Sequence, residues 1–158
     1  MERSKDQPMS LSAFVLTARP LETIGQWQAA IDALGFKLTL EGEPHERIDA
    51  LFGHLPAIWE GREAGFECMP GDEVAIEEFI EDSEELGSGG PWTQILEFSY
   101  VGTANIAGVA IAGAVYAHVT GGFFWEGEAG ERVDAAEAVA YARRIEADIR
   151  TALASESA

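Results

Sequence analysis

The chain has 158 residues, 47% of them hydrophobic, which is the size of one domain with one substantial core. Ten Lys and Arg against 28 Asp and Glu leave a formal charge of −18, which repels phosphate backbones and anionic lipid and makes nucleic acid and membrane surfaces poor partners. Cys68 is the only cysteine, so neither an intrachain disulfide nor a thiolate zinc cluster can form; with no secretory signal legible near Met1, the expected compartment is the reducing cytoplasm.

Residues 1–9 are expected to form a disordered tail, 10–153 a single α+β domain and 154–158 a frayed C-terminus. A first strand falls at 12–17. Pro20 suits the first position of a helix carrying Leu21, Ile24, Trp27 or Gln28, Ile31 and Leu34 at helical spacing, and Gly35 suits its stop. Phe36, Leu38 and Leu40 then alternate with Lys37 and Thr39, the period of a half-buried strand. A short helix is predicted over 46–52. It leads into a hairpin whose arms, 55–59 and 65–69, flank the turn Glu60-Gly61-Arg62-Glu63. An acidic helix is predicted over 72–86, and Gly87-Ser88-Gly89-Gly90-Pro91 follows as a mobile loop.

Residues 94–101 alternate as a strand with Leu96, Phe98 and Tyr100 on one face. Thr103 is placed to cap the next helix, 104–119, which is apolar almost all round and therefore fully buried. Its most hydrophobic part, 106–117, is shorter than the ~20 residues that span a bilayer. Gly121-Gly122 ends it, and residues 123–126 form a short strand. Asp134 and Glu137 have the spacing of a capping box for a last helix with Val139, Ala142, Ile145 and Ile149 as its apolar stripe. The hairpin argues for an antiparallel or mixed sheet packed with three or more helices.

No catalytic motif is legible. The glycine-rich loop lacks the lysine and hydroxyl that engage phosphate and Mg²⁺, and the stretch from Asp72 lacks the glycine and terminal carboxylate of a calcium loop. His45, His54 and His118 form no helical zinc pair, so no metal or cofactor is expected. Cys68 is expected to be a buried strand residue, not a nucleophile. Trp27, Trp59 and Trp125 are expected as packing residues, and Trp92, after the glycine-rich loop, is the tryptophan singled out as a ligand contact.

Charge distribution carries the functional signal. No Lys or Arg occurs over 63–131, while acids crowd between Glu67 and Glu85. On the predicted acidic helix, Val74 and Phe79 or Ile80 face the protein and Glu73, Glu77, Glu78, Glu81, Asp82 and Glu85 project outward. Like charges four residues apart each cost a helix roughly 0.2–0.5 kcal/mol. A solvated face tolerates that cost; a basic partner offsets it.

Leu55-Pro56 through Gly61 to Gly65-Phe66-Glu67, and the alanine-rich helix ending at Gly121-Gly122 before Phe123-Phe124-Trp125-Glu126 and Gly130, resemble signatures of a loosely defined bacterial family of small acidic proteins associated with polymorphic toxin systems. Many members are uncharacterised and others are regarded as immunity proteins. The resemblance spans about Phe14 to Ile149. It implies a cytoplasmic protein that neutralises a cognate toxin by docking, with no catalytic residues to transfer.

The leading expectation is thus an acidic module that binds a basic protein through Glu73, Glu77, Glu78, Glu81, Asp82, Glu85 and Trp92. The alternative is a ligand-binding or catalytic domain with a pocket near Trp92 and the 55–69 hairpin. A homodimer whose acidity serves only solubility is the third reading.

Overall fold

The computed structural model describes residues 10–81 and 87–157. The elements in chain order are β1 (Leu11–Thr17), α1 (Ile24–Ala33), β2 (Leu38–Leu40), a 3-10 turn (Ile48–Ala50), β3 (Gly53–Leu55), β4 (Ala57–Trp59), β5 (Arg62–Glu63), β6 (Phe66–Gly71), α2 (Glu73–Glu81), β7 (Gln94–Tyr100), α3 (Thr103–Thr120), β8 (Phe123–Glu126), β9 (Glu131–Asp134) and α4 (Ala135–Ser157). Six strands form an antiparallel sheet in the order β3-β6-β7-β1-β8-β9, and β2-β4-β5 form a second antiparallel sheet. The fold is α+β and a single domain, with an apolar helix at its centre.

Strand periodicity divides the core in two. Ala13, Val15, Phe66, Cys68, Leu96, Phe98 and Phe124 point to one face of the large sheet and join the main core with α1, α3 and α4. Leu16, Ile95 and Phe123 point to the other face and meet α2. Helix α3 touches the sheet, α1 and α4, which is why apolar side chains suit every side of it. By length and composition alone it is the one described helix that could cross a membrane, yet 67% of it is buried inside the fold.

The predicted hairpin is present but bent. Gly53↔Cys68, His54↔Glu67 and Leu55↔Phe66 in the large sheet continue the same register as Ile58↔Glu63 and Trp59↔Arg62 in the small one. Its turn is the two residues Glu60 and Gly61, both at positive φ (49° and 78°), as a type I′ turn requires. Pro56 has no N–H to give the ladder. Opposite it, a Cβ on Gly65 would stand 2.8 Å from the Leu55 carbonyl oxygen. The ribbon therefore breaks there and feeds two sheets.

Five features differ from the sequence expectation. Helix α1 starts after Thr23, not at Pro20, because Thr23 and Gln26 form a capping box: the Thr23 hydroxyl accepts the Gln26 N–H at 3.2 Å. The chain before it stays extended, with the Leu21 N–H donating to the Tyr116 hydroxyl at 3.1 Å. Instead of a helix over 46–52 there is only the 3-10 turn. Helix α3 has Gly102 as its N-cap with no side-chain bond, so Thr103 is the first helical residue and not the cap. Residues Glu131–Asp134 form strand β9, which the sequence reading missed, and the Asp134 carboxylate accepts from Arg132 Nε at 2.8 Å. Only Val133 in that strand is buried, so an edge strand of this composition leaves little hydrophobic signal. Helix α4 continues to Ser157, past residue 153 where the folded domain was expected to end.

Candidate functional site

Helix α2 lies on the second face of the large sheet. Asp72 opens it, its carboxylate accepting the Val74 N–H at 3.1 Å. Ile76 is buried, and Ala75, Phe79 and Ile80 pack with it against Leu16, Ile95 and Phe123. Phe79 lies 4.9 Å from the Phe14 ring and 6.3 Å from Trp125. Because Ile76, Phe79 and Ile80 share one helical stripe, Val74 falls off it and is 60% exposed, contrary to the expectation that it faces inward.

The opposite side of α2 carries the acids. Glu73, Glu77, Glu78 and Glu81 are all exposed. Asp82 and Glu85 lie outside the described residues. Among the described residues the ion pairs gather on Arg47, His54, Arg132, Arg144 and Arg150, and none engages any of the four glutamates. Their charges are uncompensated at close range, so the field above α2 is strongly negative.

An apolar groove of about 420 Å³ runs beside this helix, lined by Phe14, Phe52, Met69, Pro70, Phe79 and, at the acidic edge, Glu78 and Glu97. Phe52 is 89% exposed and Met69 39%. A large aromatic side chain held almost entirely in water marks an interaction surface when further apolar groups adjoin it. The sequence reading placed Phe52 at the end of a short helix and so gave it no role. Its only signal is a bulky apolar residue immediately before the positive-φ Gly53 (115°), where the chain leaves the core to enter an edge strand.

Trp92 belongs to the same sheet face but is half-buried there. Its Nε1 donates to the Gly87 carbonyl at 2.7 Å, and its ring stands edge-on to Phe123 at 5.3 Å. Those contacts make it a packing residue tied to Gly87 and Phe123. Cys68 lies on the opposite face, in the main core. The sheet therefore separates Trp92 from Cys68, one of the residues that a reactive pocket near Trp92 and the hairpin could have used.

The other candidate chemistry is dispersed. Cys68 is wholly buried, and that burial pushes its thiol up to about 12, far from a nucleophile's range. Trp27 and Trp59 are core residues whose indole N–H groups donate to the Ala112 carbonyl at 3.0 Å and the Glu146 carboxylate at 3.1 Å. A His118 ring nitrogen sits 2.9 Å from the Ala135 carbonyl, and His54 lies 4.0 Å from both Glu63 and Glu67. Among the described residues no three His, Cys, Asp or Glu side chains are grouped to hold a metal ion.

No family model, curated protein or solved structure matches the chain. What fold and surface define is a single-domain α+β protein that presents an acidic helix beside an apolar groove.

Proposed function

We propose that this chain is an acidic protein-binding module, an immunity protein that neutralises a cognate basic toxin in the cytoplasm by docking and performs no catalytic step of its own. The observation that carries the reading is adjacency: α2 exposes four glutamates with no ion partner among the described residues, and one of them, Glu78, lines a groove that the exposed Phe52 also lines. Exposed charges steer encounter and discriminate partners, whereas desolvated aromatic anchors hold the complex. Both ingredients occur on one face.

The natural probes are the basic polypeptides encoded beside this gene, with association followed by stopped flow. Replacing Glu73, Glu77, Glu78 and Glu81 by Gln is expected to slow association by about tenfold at low salt and to flatten its salt dependence, because steering acts over a Debye length of ~8 Å at physiological ionic strength. Dissociation changes little. Phe52→Ala is expected to do the reverse, raising the dissociation rate by about thirtyfold if Phe52 is an anchor worth some 2 kcal/mol. Unchanged association in the quadruple variant, with the wild-type salt slope, would sink the reading.

A further inference from the structure

Across the sheet from α2, the ends of β1 and β7, the β8–β9 hairpin and helices α3 and α4 enclose a second pocket of about 270 Å³. Its walls are apolar except at the mouth. Three aromatic rings line it, Tyr100, Phe124 and Tyr141, the last two 5.6 Å apart and tilted by 46° so that they form a corner. Three carboxylates, Glu126, Glu128 and Glu131, stand at its edge.

The polar groups are arranged for a cation. The Glu126 carboxylate is fixed by its own turn, accepting the N–H groups of Glu128 at 2.7 Å and Ala129 at 2.6 Å. Glu131 is shared with Arg144 at 3.8 Å, but among the described residues neither Glu126 nor Glu128 has a cationic partner. Tyr100 and Tyr141 are only 6% and 7% exposed. Burial, reinforced by the Glu126 charge, pushes both phenols well up, so they stay neutral with electron-rich ring faces. One face of Tyr141 already carries a cation: the Arg144 guanidinium is 5.3 Å from its centroid. An anion would meet three carboxylates, and a neutral apolar ligand would leave them unused.

We propose that this pocket binds a small alkylammonium ion, its charged head held among the Tyr100, Phe124 and Tyr141 rings under the Glu126 and Glu128 carboxylates. Aromatic rings around an ammonium, with carboxylates behind them, combine cation–π attraction with direct charge pairing. The volume lies near the lower end for ligand pockets and suits a short-chained amine. The inference does not rest on the docking surface, which lies on the other side of the sheet.

The test is a titration of the full chain followed by NMR, with choline and 3,3-dimethylbutan-1-ol as probes of the same shape that differ in charge. Choline is expected to shift Tyr100, Ala110 and Phe124 resonances saturably and to bind about tenfold tighter than the alcohol. Glu126→Gln together with Glu128→Gln is expected to erase most of that preference. Ile145→Phe, on the partly exposed wall, is expected to fill the pocket and abolish binding; should it unfold, the two glutamine substitutions still decide. Nα-acetyl-lysine methylamide distinguishes the source: tighter binding than choline assigns the pocket to a lysine side chain, weaker binding to a free amine. Equal affinity for choline and the alcohol, affinity unchanged in the glutamine variant, or no saturable shift for any cation overturns the proposal.

Discussion

At the scale of single residues, the most consequential contact is one that no motif announces. Glu146 is 7% exposed, and its two oxygens take the Trp59 indole N–H at 3.1 Å and the Arg150 guanidinium at 3.2 Å. Arg150 also bonds Glu60 through Nε at 2.9 Å, and that bond holds the Glu60 carboxyl below its usual range. The turn of the bent hairpin is thereby fastened to α4. Because Trp59 is 1% exposed, Glu146→Leu leaves a buried donor unpaired, at a cost of about 1–3 kcal/mol. Glu146→Gln keeps an acceptor and should lose less than half as much. Urea denaturation of the two variants checks this, and equal losses would mean that the hydrogen bond is not what matters. From sequence alone Trp59 was legible as packing and Arg150 was not singled out, because partners 87 and 90 residues apart leave no periodic trace. Phe52 escaped for a related reason: exposure of one phenylalanine depends on what the rest of the chain leaves uncovered.

At the scale of elements, the hydrophobic period was informative wherever one face of a strand or helix is buried. Strand β8 falls on the predicted residues, and α3 extends the expected span by one residue at each end. Boundaries set by hydrogen-bond geometry were less visible. Pro20 suits a helix start through its fixed φ, but the start of α1 is set by the Thr23–Gln26 capping box, which the apolar spacing does not mark. Inside α3 the glycines record how closely its neighbours approach. A Cβ on Gly108 would stand 2.1 Å from the Ala64 carbonyl oxygen, and one on Gly113 2.4 Å from the Phe124 ring. The ring at Gly113 can rotate or shift; the backbone at Ala64 is tied into the hairpin by the Ala64 N–H bond to Ala57 at 2.8 Å. Gly108→Ala would gain about 1 kcal/mol of helix propensity in an isolated helix. In this fold we expect a net loss of about 1–3 kcal/mol, because α3 must move away from the bend. Thermal unfolding distinguishes the two outcomes by sign.

At the scale of the whole molecule, charge is unevenly placed. Residues 63–131 contain fourteen Asp and Glu and no Lys or Arg, whereas the guanidinium groups of Arg143, Arg144 and Arg150 sit on α4, over Phe36, Tyr141 and Trp59. The acidic bias was fully legible in the sequence; that α2 sits beside an apolar groove was not, since the groove is assembled from β1, β6, β7, α2 and the turn before β3. The segregation has a stability consequence that separates recognition from mere solubility. Glu73 with Glu77 and Glu77 with Glu81 are like-charge pairs one turn apart on a helix that forms nonetheless, together costing about 0.4–1 kcal/mol at low salt. Replacing Glu73, Glu77, Glu78 and Glu81 by Gln should therefore raise the thermal midpoint by a few degrees at low salt, and the gain should shrink as salt screens the wild-type repulsion. A solvated face predicts only that gain. A docking face predicts it together with slower association, so that the same substitutions stabilise the fold and weaken encounter. Calorimetry across a salt series, paired with the association kinetics, reads both quantities on one variant. A midpoint unchanged at every salt concentration would show that the repulsion on α2 is already relieved in the isolated protein, and with it would go the argument that these charges await a basic partner.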